Sequence, residues 1–468
     1  IKDAMDGTDS VDIVVAGDSN TGFEQYGWVN GLVTGLCNIG VTQYATPMYS
    51  IWKGSSSTEL GCTSYSGGAN LYGMRSFGTS GSYTTSNAAV DGKASAVSYT
   101  GNAPSLIKTN FSLGGGNLDP FGESASIGSP TTTNGLWVAA AATFTDFNLG
   151  IIAQTAGTAG VNELGVTSAQ RHRVYYATTA SGGSIKLFQN RIGGANAGTL
   201  TDTFNLGNTN GELASVEGTS IIASARTNLQ LYAAGGGVGA GNAIAGPVAV
   251  FFQTSYRSVK GFAVNTICWR GGATMTNIAD DISAASDGYI KQYLKAIRER
   301  QISAGGTGRV IIMVQGGVNT DSGVPDSWAT NMTSCIASFS RAWAANGYPS
   351  KDLAFVGMVS HQIANPDGMA NLRTRSREMV YGVNPPNNLA VFVLPDVVNV
   401  GEMASYYKNA VSDKFHLNKT GYNVLGERIA RSLADFQRVA LPLANGIPLP
   451  VAAKQVYTVD GADVGLLS

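Results

Sequence analysis

Apolar and polar positions fall into two regimes along the chain. Residues 11–16 (Val-Asp-Ile-Val-Val-Ala) form a short apolar run stopped by Gly17, which predicts a buried strand, and residues 28–36 follow as a short helix. The same alternation returns after residue 258. Val259–Trp269, Arg309–Gln315, Asp352–Val359 and Asn388–Leu394 are apolar runs of strand length. Asp287–Gln301, Ser327–Asn346 and Asn418–Arg438 repeat apolar residues three or four apart, as amphipathic helices do. Five strands separated by helices predict an α/β fold built on a parallel sheet with helices on both faces, and ligands at the carboxyl ends of the strands.

Between these parts the pattern changes. From about residue 60 to 257 the chain is rich in Gly, Ser, Thr, Asn and Ala, with short strand-forming runs at Gly135–Phe147, His172–Ala177, Ser184–Phe188 and Pro247–Gln253. Helical periodicity is nearly missing there and turn residues recur at short spacing, which predicts an antiparallel sandwich or jelly roll. The organisation expected is an α/β domain in two parts, residues 1–60 and 258–440, split by an inserted all-β domain, 61–257. Residues 441–468, opening Leu441-Pro442-Leu443, have no helical period and are expected to form an extended tail, with partner binding as one use for it.

At 468 residues one core is not enough, and two or three units are expected. The 60 glycines are well above the usual ~7%, yet hydrophobic residues reach 43%, so the chain is globular and turn-rich rather than disordered. Thirty Lys and Arg face 31 Asp and Glu, which argues against nucleic acid and against an anionic membrane, since both require clustered positive charge. No run of 18 apolar residues occurs, and the opening Ile1-Lys2-Asp3-Ala4 is expected to be a processed or truncated end. Cys37, Cys62, Cys268 and Cys335 are too scattered for a disulfide scaffold or a zinc site; one bridge, such as Cys37 with Cys62, and buried thiols both stay open.

Three histidines limit where base catalysis can occur. His172, between Arg171 and Arg173, is expected on a surface strand, and His361 in a loop after a strand. His416 differs, because Asp413 precedes it by three residues just before the last helix, so a carboxylate can turn back to the imidazole and fix its tautomer. Gly17-Asp18-Ser19-Asn20 ends the first strand and puts a serine at the carboxyl edge of the sheet, its own N–H near a helix start. Arg270-Gly271-Gly272-Ala273-Thr274 follows the second strand, where a glycine lets backbone approach a substrate. Gly316-Gly317-Val318-Asn319-Thr320-Asp321 follows the third, with a side-chain amide able to donate to the same developing charge. All four segments are expected to converge at one sheet edge.

The order Gly-Asp-Ser, then Gly, then Gly-x-Asn, then Asp-x-x-His resembles the SGNH hydrolases, or GDSL esterases and lipases. Gly317-Val318-Asn319 is similar to the family's third block, and Asp413-x-x-His416-Leu417-Asn418 with Gly421-Tyr422 to its last. The resemblance covers the first 40 residues and about residues 258–440. It implies a flavodoxin-like three-layer α/β/α sandwich with a five-stranded parallel sheet, Ser19 as nucleophile, His416 as general base and acid, and Asp413 orienting His416. It also implies an oxyanion hole of the Ser19 N–H, a glycine N–H (Gly272, with Gly271 as neighbour) and the Asn319 amide. Asn20 stands where the family usually has leucine, and the long β insert is foreign to the minimal family fold. Inserts of this kind, in carbohydrate O-acetylesterases and on some phage tail fibres, resemble glycan-binding sandwiches.

Signatures of other chemistries are missing: there is no G-x-S-x-G elbow, no H-E-x-x-H, and Gly92-Lys93 is followed by Ala94 and so is not a phosphate-binding loop. The reaction expected is removal of small acyl groups, O-acetyl first, from a carbohydrate polymer, with neither metal nor cofactor. A lipase or thioesterase is the enzymatic alternative, and a glycan-binding adhesin or virion structural protein on the same fold the non-enzymatic one. The expected partner is an acetylated polysaccharide or cell-surface glycan, with no nucleic acid or membrane. Low charge fits an extracellular or virion-surface setting and assembly into a homo-oligomer, such as a trimer, or a larger particle. Trp269 and Arg270 are candidate substrate contacts beside the glycine turn, and Trp52, Tyr65, Tyr72 and Trp137 candidates for stacking on sugar rings.

Overall fold

The computed structural model describes residues 1–22, 28–45, 48–50, 74–77, 136–138, 146–153, 171–178, 183–189, 199–207, 209, 213–218, 227–234, 244–245, 248–270, 274–285, 290–317, 319, 321–359, 366–381, 389–394, 406–409, 413–438 and 455–458. They fall into two compact units, one of residues 1–42, 260–286 and 305–468, the other of residues 43–259 and 287–304.

The first unit is a mixed α/β assembly around a parallel sheet. Its strands are β1 (Val11–Asp18), β2 (Phe262–Arg270), β3 (Arg309–Gly316), β4 (Leu353–Val359), β5 (Leu389–Leu394) and β6 (Gln455–Thr458). They lie in the order β2-β1-β3-β4-β5-β6, every neighbouring pair parallel. Its first five positions repeat the flavodoxin-like order 2-1-3-4-5. Every residue of β1 is buried, which requires cover on both faces and explains why these strands are continuous apolar runs rather than alternating ones. The sixth strand lies within the stretch expected to be an extended tail.

The helices are α1 (Val29–Asn38), α2 (Met275–Ala285), α3 (Pro325–Ala345), α4 (Pro366–Tyr381) and α5 (Lys419–Arg438). They pack in two groups, α1 with α5, and α2 with α3 and α4. Glycine sets the first contact: a methyl on Gly31 would stand 2.2 Å from the Asn423 carbonyl oxygen, and one on Gly35 2.7 Å from Ala430 Cβ. Backbone therefore rests on backbone. Trp328 and Trp343 of α3 are fully buried, and each large side chain so placed contributes about 2–3 kcal/mol. Among the described residues no helix is long and apolar enough to cross a membrane.

The second unit holds two antiparallel sheets. In one, strands run in the order Ile244–Ala245, Gly183–Gln189, Thr227–Ala234, Asp146–Ala153 and Met74–Phe77, with Thr199–Leu206 also on Gly183–Gln189. In the other the order is Tyr49–Ser50, Val248–Tyr256, Arg171–Thr178 and Ala214–Gly218, with Leu136–Val138 also on Val248–Tyr256. Helix Lys291–Ser303, expected from sequence within the α/β part, belongs to this unit. Its polar partners explain why. Tyr175 Oη donates to the Ala296 carbonyl at 2.7 Å, Arg300 Nη1 to Thr254 Oγ1 at 2.8 Å, and Tyr293 Oη to the Met48 carbonyl at 3.2 Å. The Arg300 guanidinium also lies 5.5 Å over the Tyr44 ring.

His172 is not on the surface, as its arginine neighbours suggested, but fully buried. Successive strand residues face opposite ways. Arg171 and Arg173 therefore reach Glu217 on one face, at 3.3 and 2.6 Å, while His172 turns into the interior, where burial lowers its pKa to about 4. Cys62, Trp52, Tyr65, Tyr72 and His361 lie outside the described residues, and of Trp137 only the strand that carries it is described.

Candidate active site

The carboxyl ends of β1, β2 and β3 finish level. Gly17 and Asp18 pair with Trp269 and Arg270 on one side, and Ala16 pairs with Val314 on the other, while Gly316 at the end of β3 pairs with Val359 of β4. The loops that follow these strands hence leave the sheet at a common edge, where ligands of open α/β sheets bind.

Ser19 opens a four-residue helical turn, Ser19–Gly22, directly after β1. The turn is clamped from below. Asp18, fully buried, accepts from the Asn20 backbone N–H at 2.9 Å and from Asn20 Nδ2 at 3.1 Å through Oδ1, and Gln315 Nε2 reaches the same oxygen at 3.5 Å. Trp28 Nε1 donates in turn to Gln315 Oε1, and Thr21 Oγ1 to the Asp18 carbonyl at 2.6 Å. Gly17 has no room for a side chain: a methyl there would meet Thr21 Cγ2 at 2.6 Å and Gln315 Cβ at 3.0 Å. The backbone on either side of Ser19 is thus held by hydrogen bonds to Asp18.

The loop after β3 is shaped by unusual backbone. Gly317 has φ 115° and Asn319 φ 52°, the latter in the left-handed region that asparagine tolerates better than most residues. Asn319 is half-buried there. Two residues on, Asp321 buries its carboxylate. Both of its oxygens accept the Met275 N–H, at 3.0 and 2.9 Å, and Oδ2 also accepts the Gly317 N–H at 3.2 Å. Burial first, and then the charge of Asp18, raise the Asp321 pKa to about 6 against the pull of these two donors.

His416 sits half-buried in a short strand, Asp413–Leu417, just ahead of α5. This strand pairs with Tyr407–Asn409, Tyr407 opposite Leu417 and Asn409 opposite Asp413, so two steps on one strand oppose four on the other. Asn418 then starts α5. Its Oδ1 accepts the Gly421 N–H at 2.9 Å as a helix cap, and its own N–H donates to the Tyr406 carbonyl at 2.6 Å. One residue beyond Gly421, Tyr422 Oη donates to Asn20 Oδ1. This single hydrogen bond joins chain positions 402 residues apart and docks the His416 segment beside the Ser19 turn.

The Ser19 turn is thus joined to the end of β3, which leads into the Asn319 loop, by the Gln315–Asp18 contact, and to the first turn of α5, which follows His416, by the Tyr422–Asn20 hydrogen bond. Trp269 and Arg270 are the last residues of β2, level with Gly17 and Asp18, and only their backbone is described. The same holds for Ser19 and Asp413, and Gly272 lies outside the described residues. Supporting roles of Gln315, Asp321 and Tyr422 escaped the sequence. A glutamine closing an otherwise apolar strand was the available signal for the first. Among the described residues no group of three His, Cys, Asp or Glu side chains is placed to hold a metal ion.

No family model and no curated protein matches the chain. Among solved structures it is similar to a peptidoglycan O-acetylesterase, at 11% identity and a TM-score of 0.46 over 94% of this chain and 95% of that one. It is also similar to a family two carbohydrate esterase from Clostridium thermocellum in complex with cellohexaose, at 9% identity and a TM-score of 0.26 over 66% of this chain and 96% of that one.

Proposed function

We propose that the chain is a serine esterase of the SGNH type that removes small acyl groups, O-acetyl first, from a carbohydrate polymer. The observation that carries this reading is the Tyr422–Asn20 hydrogen bond, which brings the segment of the one histidine with a local carboxylate to the turn of the edge serine. Ser19 attacks the ester carbonyl while His416 takes its proton, and Asp413 orients His416 and stabilises the imidazolium. The tetrahedral oxyanion is met by the Ser19 N–H, the Gly272 N–H and the Asn319 amide. Collapse expels the sugar hydroxyl, which leaves with the proton from His416, and water repeats the cycle on the acyl-enzyme to release acetate and restore Ser19.

Carbohydrate is the acyl carrier in this reading because the chain interrupts its α/β part with antiparallel sheets of the kind that grip glycans, and because small acyl groups suit a shallow sheet-edge site. Trp269 and Arg270, at the end of β2, are the assigned substrate contacts. An extracellular or virion-surface setting, with the chain in a homo-oligomer or larger particle, suits such a substrate. The test is labelling with a fluorophosphonate probe followed by peptide mass mapping. Adduct on the peptide holding Ser19, lost in His416→Ala, is the expected result; a folded chain that takes up no label favours the adhesin or virion structural reading.

A further inference from the structure

We propose that Asp321 is a positioning residue of this site: its buried carboxylate fixes the Asn319 loop to the start of α2, and so holds the backbone that carries the Asn319 amide. The inference rests on the esterase reading and extends it to a residue outside the triad and the oxyanion hole.

The argument begins with what each segment lacks by itself. Residues 317–321 hold two positive-φ positions, Gly317 and Asn319, and such backbone keeps its shape only where surrounding contacts hold it. The first N–H groups of α2 have no partner within their own helix. Asp321 answers both needs, accepting Gly317 at one end of the loop and Met275 at the head of α2. Its own carbonyl accepts the Val324 N–H at 3.0 Å, which fixes the acid to the turn leading into α3. Asn319 lies between Gly317 and Asp321. One side chain thus ties the loop that carries Asn319 to the first residue of α2.

Asp321 is only 3% exposed. A bifurcated acceptor of this kind works as an anion, because a protonated carboxyl must give one oxygen over to donating, and two backbone N–H groups then compete for what remains. Asp18 is the charged neighbour that opposes this anion, while the Met275 and Gly317 N–H groups favour it. Protonation near pH 6 should therefore loosen the Asn319 loop and the start of α2 together, without touching Ser19 or His416.

The test uses the full chain and its Asp321→Asn and Asp321→Glu variants, with p-nitrophenyl acetate as substrate from pH 4.5 to 8.5. Asn should lower kcat on the order of 10- to 100-fold with KM within about twofold, since the Asn319 amide acts on the transition state more than on bound ester. Glu should recover part of the loss. In the wild type the acid limb of log kcat/KM should approach a slope of two, one proton at the catalytic base and one at Asp321, and in Asn a slope of one. Wild-type kcat and an unchanged acid limb in a folded Asn variant would overturn the assignment. Backbone amide exchange over residues 275–280 and 317–323 separates this from failure of the esterase reading. If the wild type shows no Ser19-dependent turnover the esterase reading falls, and unchanged protection in the Asn variant overturns the loop tie itself.

Discussion

Gly426→Ala places a methyl group where two helices already touch through their backbones. It would stand 2.1 Å from the Trp28 carbonyl oxygen, 2.3 Å from the Leu32 nitrogen and 2.5 Å from the Gly31 carbonyl carbon. Ordinary contact begins at 3.4 Å, and none of the three atoms belongs to a side chain that can rotate away. Relief requires α5 to part from α1 by about 1 Å, an overpacking that destabilises by about 1–3 kcal/mol. Replacing a helical glycine returns about 1 kcal/mol, so the net loss is at most about 2 kcal/mol. That corresponds to a fall in Tm of up to about 8 °C for a domain of this size. The effect on activity should exceed the effect on stability. Tyr422, one turn before Gly426, holds Asn20, and His416 precedes the helix, so under the proposed mechanism the shift separates base from nucleophile. A displacement of about 1 Å at a reacting pair costs on the order of 100-fold in rate. Thermal melts and kcat for p-nitrophenyl acetate measure both effects, with Gly207→Ala, whose methyl would meet nothing within 4 Å, as the control. Wild-type Tm and kcat in Gly426→Ala would refute the claim that this helix contact sets the site.

Two further outcomes follow from named residues. Asn319→Gly deletes the amide but keeps the left-handed backbone at no penalty, so kcat should fall on the order of 100- to 1,000-fold while Tm stays near wild type; a rate within threefold of wild type removes Asn319 from the oxyanion hole. Burial lowers His172 from 6.5 to about 4, so on acidification the unfolded chain takes up the proton before the folded one. Its contribution is complete above pH 6.5 and is lost as the pH falls toward 4, roughly 3 kcal/mol in full. Denaturant midpoints at pH 7.5 and 4.5 should therefore drop further for the wild type than for His172→Gln, and equal drops would contradict the burial argument.

Strands were legible because a sheet covered on both faces writes its strands as unbroken apolar runs: β3, β4 and β5 begin and end within a residue of where the pattern put them. Helix α2 was passed over although Met275, Ile278, Ala279 and Ile282 carry the helical spacing, because Asn277, Asp280 and Asp281 dilute it with poor helix formers. In α4 apolar residues are sparser still, and its surface is charged. His172 shows the opposite error, in which flanking arginines were taken for the setting of the residue between them. At the site, Ser19, Asn319 and His416 were singled out because each follows a strand or precedes a helix in a short motif. Gln315, Asp321 and Tyr422 were not, since their roles are made by partners 297, 46 and 402 residues away. No local pattern reports such pairs.

The central claim is that Ser19 performs acyl transfer on an acetylated glycan. Acetate release from an acetylated polysaccharide and from p-nitrophenyl acetate, compared between the wild-type chain and Ser19→Ala, tests it most directly. The account predicts release from both substrates by the wild type, with the polysaccharide preferred, and its abolition by the substitution. Release that survives Ser19→Ala, or none from a folded and assembled wild-type chain, would contradict it.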